Sequence, residues 1–176
     1  MKPVLDATAG NRHMYGRNKY PDNVVFMDKE LGLRIPPHVF AVWKYLPFRN
    51  NVFHCARVDP PHVFSLSSMY NQDPKARPNG SKKIPGWYGA FASKREAVIQ
   101  IHGMQKEMAR VTERMCFKWN EASLNLENIL SVFDHWIIQL ISPVKALRSV
   151  KTFWVKMTIN KQTKRTTAES KSKRNE

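Results

Sequence analysis

The chain is poor in cysteine, glycine, acidic residues and long apolar runs, and each shortage removes a class of protein. Its 176 residues include two cysteines and seven glycines. Cys55 and Cys116 both fall inside apparent strands, where reduced, buried thiols are expected, so a disulfide-stapled secreted domain is excluded. Neither cysteine has a partner at ligand spacing, so no metal site is expected. No apolar run reaches the roughly eighteen residues of a membrane span, and the N-terminus runs directly into a strand. The protein therefore reads as soluble and intracellular, with cytoplasm and nucleus not distinguished and no membrane partner. Asp and Glu total 14 against 29 Lys and Arg, a formal charge of +15. That excess points to a polyanionic partner, RNA before DNA. The tail from Asn160 carries six basic and two acidic residues, so the body keeps 23 basic and 12 acidic, still +11.

At 42% hydrophobic the chain can bury one core, and the expected organisation is one domain over 1–159 with a disordered basic tail over 160–176. Pro3 to Leu5 reads as a strand running into Asp6-Ala7-Thr8-Ala9-Gly10-Asn11-Arg12. A short helix follows, then a buried strand from Val24 to Met27 closed by Asp28. Strand, Gly-containing loop, helix, strand and acid open a doubly wound sheet. Val39 to Val42 and Val52 to Val58 read as further strands. Ala97 to Arg110 has the spacing of an amphipathic helix, and Met115 to Phe117 begins a strand ending in Lys118-Trp119-Asn120. Leu124 to Phe133 reads as a helix, and Trp136 to Ile141 with Thr152 to Ile159 as an antiparallel hairpin. The fold class is thus α/β: a mostly parallel seven-stranded sheet, helices on both faces, and an antiparallel C-terminal hairpin.

The fourth strand ends in Asp59-Pro60-Pro61-His62, at the carboxyl edge where open α/β sheets bind ligands. The prolines remove donors and stiffen the turn, so the Asp59 and Pro60 carbonyls are expected to point outward as acceptors. A solvated strand exit explains the same residues. Asp28 stands 22 positions after Asp6, where nucleoside-binding sheets place the acid that receives ribose hydroxyls, although turn acids also occur there. Gly10 is the sole glycine of the first loop, which disfavours a dinucleotide, because backbone approach to a pyrophosphate needs two more. Segment 63–92 is a long basic and aromatic loop. Lys82, Lys83, Trp87 and Tyr88 suit a nucleic-acid-facing lid, since cations attract phosphates and rings stack on unpaired bases.

Four separated segments carry a resemblance. The first loop contains Asp6, Gly10, Asn11, Arg12 and Met14; Pro47-Phe48 precedes the fourth strand; Asp59 to His62 ends it; and Phe117-Lys118-Trp119-Asn120-Glu121 ends the next. Together they resemble the small class I methyltransferases of phages and microbes, which use S-adenosyl-L-methionine. The resemblance implies a cofactor across strands one and two, touching Asp6, Ala7, Gly10, Asn11, Arg12, Asp28 and Trp43. It implies methyl transfer at Asp59, Pro60, Pro61 and His62, where the usual ring is Tyr, Phe or Trp, and it needs no metal. Lys118 and Asn120 could orient the acceptor, or be a solvated Lys and a capping Asn.

The favoured function is methylation of an exocyclic amine of a nucleic-acid base. A non-catalytic nucleic-acid-binding or partner subunit comes second, because His54 and Arg57 fall in an expected buried strand and Trp43 replaces an acid. A small-molecule methyltransferase comes third. A homodimer or partner subunit is compatible with the small body.

Overall fold

The computed structural model describes residues 1–12, 15, 20–62, 64, 90–144 and 151–161. Its strands are β1 (Val4–Asp6), β2 (Val24–Asp28), β3 (Val39–Phe40), β4 (Cys55–Val58), β5 (Arg114–Asn120), β6 (Trp136–Val144) and β7 (Thr152–Ile159). Two helices lie between them, α1 (Lys94–Val111) and α2 (Leu126–Leu130). All seven strands form one sheet in the order β3-β2-β1-β4-β5-β7-β6. β1 to β5 are parallel to one another, and β7 runs antiparallel between β5 and β6. Strand order reverses between β1 and β4, so the loops after these two strands open side by side at the carboxyl edge, where a ligand cleft is expected.

The core follows from alternation. One face of the sheet presents Leu5, Met27, Ala56, Val58, Met115, Phe117, Trp119, Val155 and Met157, all buried with Ile101, Met104 and Met108 of α1 and Ile129 of α2. Ser93 caps α1 by accepting the Glu96 N–H at 3.1 Å, leaving the apolar stripe of α1 to settle on β4 and β5. α2 is shorter than the sequence suggests. Glu121 Oε1 accepts the Leu126 N–H at 2.8 Å and the Trp119 indole donates to the Leu124 carbonyl at 2.8 Å, so the residues before Leu126 form a turn.

The other face carries a smaller cluster of Ala9, Val24 and Phe26, with Val4, Tyr15 and Tyr20 against it. Among the described residues both regular helices lie on the first face. Beyond β1 the second face is polar: Cys55 and Arg57 of β4, Arg114, Cys116 and Lys118 of β5, and Lys156 of β7 are half-buried or exposed. The two thiols are free, as expected, but half-buried on this polar face rather than enclosed in the core.

β4 begins at Cys55, not Val52. Asn51 turns the chain with φ +55°, and Phe53 drops into the core while its N–H bonds the Val111 carbonyl at 3.1 Å. His54 therefore lies outside the strand, exposed, 3.3 Å from the Arg114 guanidinium. Arg110 of α1 fixes the preceding loop, donating to the Leu46 carbonyl at 2.9 Å and the Phe48 carbonyl at 2.6 Å while Glu107 braces it at 2.6 Å. Among the described residues no helix is long and apolar enough to cross a membrane.

Candidate active site

β1 ends in Asp6, which is fully buried. Oδ1 accepts the Thr8 N–H at 3.2 Å, and Oδ2 has no hydrogen-bond partner. Burial raises the Asp6 pKa to about 6. The Thr8 N–H, the nearby Tyr15 hydroxyl and Arg57 oppose that rise, and the Asp59 charge adds to it. Tyr15 meets Asp6 without a hydrogen bond of ordinary geometry, and desolvation together with the Asp6 charge lifts its hydroxyl to about 12. A buried carboxylate oxygen with nothing to accept from is a costly feature unless a cation or donor arrives.

The loop after β1 is held from both sides. Ala7 is buried and its N–H bonds the Arg57 carbonyl at 3.0 Å, while Ala9 N–H bonds the Met27 carbonyl at 3.0 Å. Gly10 takes φ +49°, and a Cβ there would meet nothing within 4 Å, so the loop has open space beside it. Asp28, at the end of β2, accepts the Gly10 N–H at 2.8 Å on Oδ2 and the Glu30 N–H at 3.0 Å on Oδ1. Its carboxylate thus ties β2 to the loop, and each oxygen keeps one further lone pair for a ribose hydroxyl.

Asn11 and Arg12, expected at the cofactor, are turned into the structure. Asn11 Oδ1 accepts the Ile35 N–H at 3.2 Å. Arg12, at φ +59°, donates to the Pro36 carbonyl at 2.8 Å and lies 4.0 Å above the Phe26 ring centroid. Their side chains anchor segment 35–36 beside β2, because burial with fixed partners is how such polar groups avoid the desolvation cost. Trp43 stacks on Phe91 at 6.4 Å between centroids, at the margin of the core.

Across the strand reversal, Asp59 is clamped by two neighbours. Its N–H donates to Thr8 Oγ1 at 2.7 Å, and its Oδ2 accepts from Lys118 Nζ at 2.6 Å. The Asp59 side chain is 8% exposed, and its Oδ1 is buried without a hydrogen-bond partner. Thr8 therefore joins the loop after β1 to the loop after β4, a contact whose only trace in the sequence is the presence of a hydroxyl. Lys118 was expected either to meet the acceptor or to be solvated. It is instead the ion-pair partner of Asp59, brought there by the parallel register that sets Val58 opposite Phe117.

Pro60 is buried, and its carbonyl is one of the groups that act on the His62 ring. Pro61 and His62 are half-buried beside it. Desolvation lowers the His62 pKa, Lys118 adds to that, and Asp59 and the Pro60 carbonyl oppose it. The ring is therefore neutral at neutral pH. Asn120 is committed to its own strand end: Nδ2 donates to Thr152 Oγ1 at 2.8 Å and Oδ1 accepts the Ala122 N–H at 3.0 Å. Lys82, Lys83, Trp87 and Tyr88, and Met14 of the first-loop motif, lie outside the described residues. Of the features that favoured a non-catalytic subunit, His54 no longer counts, since it lies outside the strand.

No protein-family model matches the chain, and no curated protein does. Among solved structures, the chain is similar to the geranyl diphosphate C-methyltransferase of Streptomyces coelicolor A3(2), determined in complex with Mg2+, geranyl diphosphate and S-adenosyl-L-homocysteine. The TM-score is 0.53 at 8% identity, covering 91% of this chain and 72% of that one. The likeness is one of fold.

Proposed function

We propose that this protein is an S-adenosyl-L-methionine-dependent methyltransferase acting on an exocyclic amino group of a nucleic-acid base. The observation that carries it is the pair of unpartnered buried carboxylate oxygens, Asp6 Oδ2 and Asp59 Oδ1, at the adjacent carboxyl ends of β1 and β4. Asp6 Oδ2 suits the ammonium of the cofactor's amino-acid moiety, Asp28 its ribose, and the open space beside Gly10 the approach of its chain. When bound, the cofactor supplies a methyl group already activated by its sulfonium.

The remaining chemistry belongs to Asp59. An exocyclic amine is a poor nucleophile because its lone pair is conjugated with the ring. Asp59 Oδ1 accepts one amine hydrogen, favours a pyramidal nitrogen and stabilises the positive charge that develops on it. With Lys118 on Oδ2, the carboxylate is held in place as an acceptor, and the surplus proton leaves to solvent. His62, being neutral, offers a flat ring for the base to stack on. Nucleic acid as acceptor rests on charge, since the body without its tail is still +11.

A second reading, a small-molecule methyltransferase, is favoured by the solved structure named above, whose acceptor is geranyl diphosphate. Incubation with tritiated S-adenosyl-L-methionine and separate RNA, DNA and small-molecule extracts, followed by nucleoside analysis, decides between the two. Label in modified nucleosides supports the first, and label confined to the small-molecule extract supports the second. In either case Asp59→Asn should keep cofactor affinity and lose about 10²- to 10³-fold in transfer. A protein that binds no cofactor would overturn both readings.

A further inference from the structure

We infer that the face of β4, β5 and β7 opposite the two described helices is a track for single-stranded nucleic acid, with Arg57, Arg114, Lys118 and Lys156 holding phosphates and Trp154 stacking on a base. This rests on, and deepens, the nucleic-acid reading proposed above.

The three strands read Cys-Ala-Arg-Val, Arg-Met-Cys-Phe-Lys-Trp-Asn and Thr-Phe-Trp-Val-Lys-Met-Thr-Ile. They contain four cations and no acid, and alternation puts all four cations on one face, because the intervening Ala56, Met115, Phe117, Val155 and Met157 are buried beneath α1 and α2. Register arranges them around one point. Cys116 sits opposite Arg57 on one side and Lys156 on the other, with Arg114 and Lys118 two residues away along β5. The neighbouring strands are about 4.8 Å apart and alternate residues about 6.6 Å apart, so the four charges converge on a small patch of sheet. The neighbouring Cys55 thiol, more than the Arg57 and Lys156 charges, holds the Cys116 pKa low against burial.

Such a face is expensive as a surface and informative for that reason. Central strands of a doubly wound sheet are ordinarily covered on both sides and read as continuous apolar runs. Here β5 and β7 alternate instead, and like charges crowd together, with Asp59 on Lys118 and the buried Asp6 near Arg57 as counter-charges. A polyanion relieves the repulsion by releasing its own counterions. Trp154, half-buried and 5.9 Å from Lys118 Nζ, gives the patch a flat ring at the end nearest Asp59. A sheet face with aromatics and cations is a known geometry for holding unpaired bases, and it leads here to the carboxyl edge of β4. An acidic protein would satisfy the charge but would have no use for the ring.

The test uses a fluorescein-labelled oligouridine and the full chain, titrated over a range of salt. Arg114 and Lys156 are both exposed and away from the Asp6 and Asp59 carboxylates, so Arg114→Gln/Lys156→Gln should leave folding and cofactor binding unchanged. Each lost phosphate contact lowers the single-strand salt slope by about 0.7, so the pair should lower it by about 1.4 and weaken binding about 25-fold at 0.1 M salt. Arg34→Gln/Lys106→Gln removes the same net charge from exposed positions off this face and should change binding less than threefold. Trp154→Leu should weaken the oligonucleotide, as a stacked base predicts, but not a poly-glutamate competitor. Equal loss from both charge pairs, or equal binding of poly-glutamate and oligouridine insensitive to Trp154, would overturn the track. The two proposals fail separately. Loss at Arg114 and Lys156 without any nucleic-acid methylation upholds the track and removes the acceptor assignment; methylated nucleosides with binding insensitive to these residues do the reverse.

Discussion

Replacing Asp6 by Asn should stabilise the empty protein and weaken its hold on the cofactor. Asp6 is fully buried, and its pKa lies at about 6 in the fold against 3.8 for the free side chain. That gap corresponds to about 3 kcal/mol of preference for the neutral carboxyl over the charged one. The native state therefore binds this proton more tightly than the unfolded chain, so stability falls as pH rises from about 4 to about 6 and stays low above that. Asn is neutral at every pH and keeps an oxygen for the Thr8 N–H, while its amide can donate to the Tyr15 hydroxyl region. At about pH 7.5 the substitution should raise stability by up to about 3 kcal/mol, about 5 to 10 °C in Tm for a chain of this size. Near pH 4 the variant and wild type should unfold together. Cofactor affinity should move the opposite way, falling about 10- to 100-fold as one charge-assisted hydrogen bond to the ammonium is lost. Thermal unfolding at the two pH values and calorimetric titration of S-adenosyl-L-homocysteine measure both. A variant that melts earlier than wild type at pH 7.5, or one equally stabilised at both pH values, refutes the burial argument. Unchanged cofactor affinity refutes the ammonium assignment.

Two further outcomes follow from the site. His62→Phe should keep methyl transfer within about fivefold at pH 7.5, because a ring already neutral serves as a flat surface, whereas His62→Ala should lose more than about tenfold; an inactive Phe variant would mean that a ring nitrogen is required. Arg110→Ala should destabilise the fold by about 2 to 3 kcal/mol, since the Leu46 and Phe48 carbonyls lose a charged donor together. Urea unfolding reads this directly, and a change under about half a kcal/mol would show that the loop before β4 is held by its apolar contacts alone.

Much of the framework is legible in local pattern. The apolar runs at Val24 to Met27 and Thr152 to Ile159 could only be strands, and the stripe from Ala97 to Arg110 only a helix, because periodicity is a property of neighbouring residues. The Asp59-Pro60-Pro61 exit could be placed at a carboxyl edge for the same reason. The side-chain commitments were not legible. Asn11 and Arg12 look like cofactor residues in a loop that precedes a helix, yet their partners, Ile35 and Pro36, are distant in sequence and are brought near only by the packing beside β2. The alternation in Arg114 to Asn120 does show in the sequence that β5 sets polar side chains on one face and apolar ones on the other.

Composition and spacing along the chain are enough to say which segments are strands, which edge carries the acids, and that the body is basic. Which charges meet is a matter of packing. Parallel register across β4 and β5 put Lys118 on Asp59 and gathered Arg57, Arg114 and Lys156 around Cys116, and the fold brought Thr8 to the Asp59 N–H. Those pairings depend on a strand order in which β1 and β5 flank β4, and no property of a single segment encodes an order among segments.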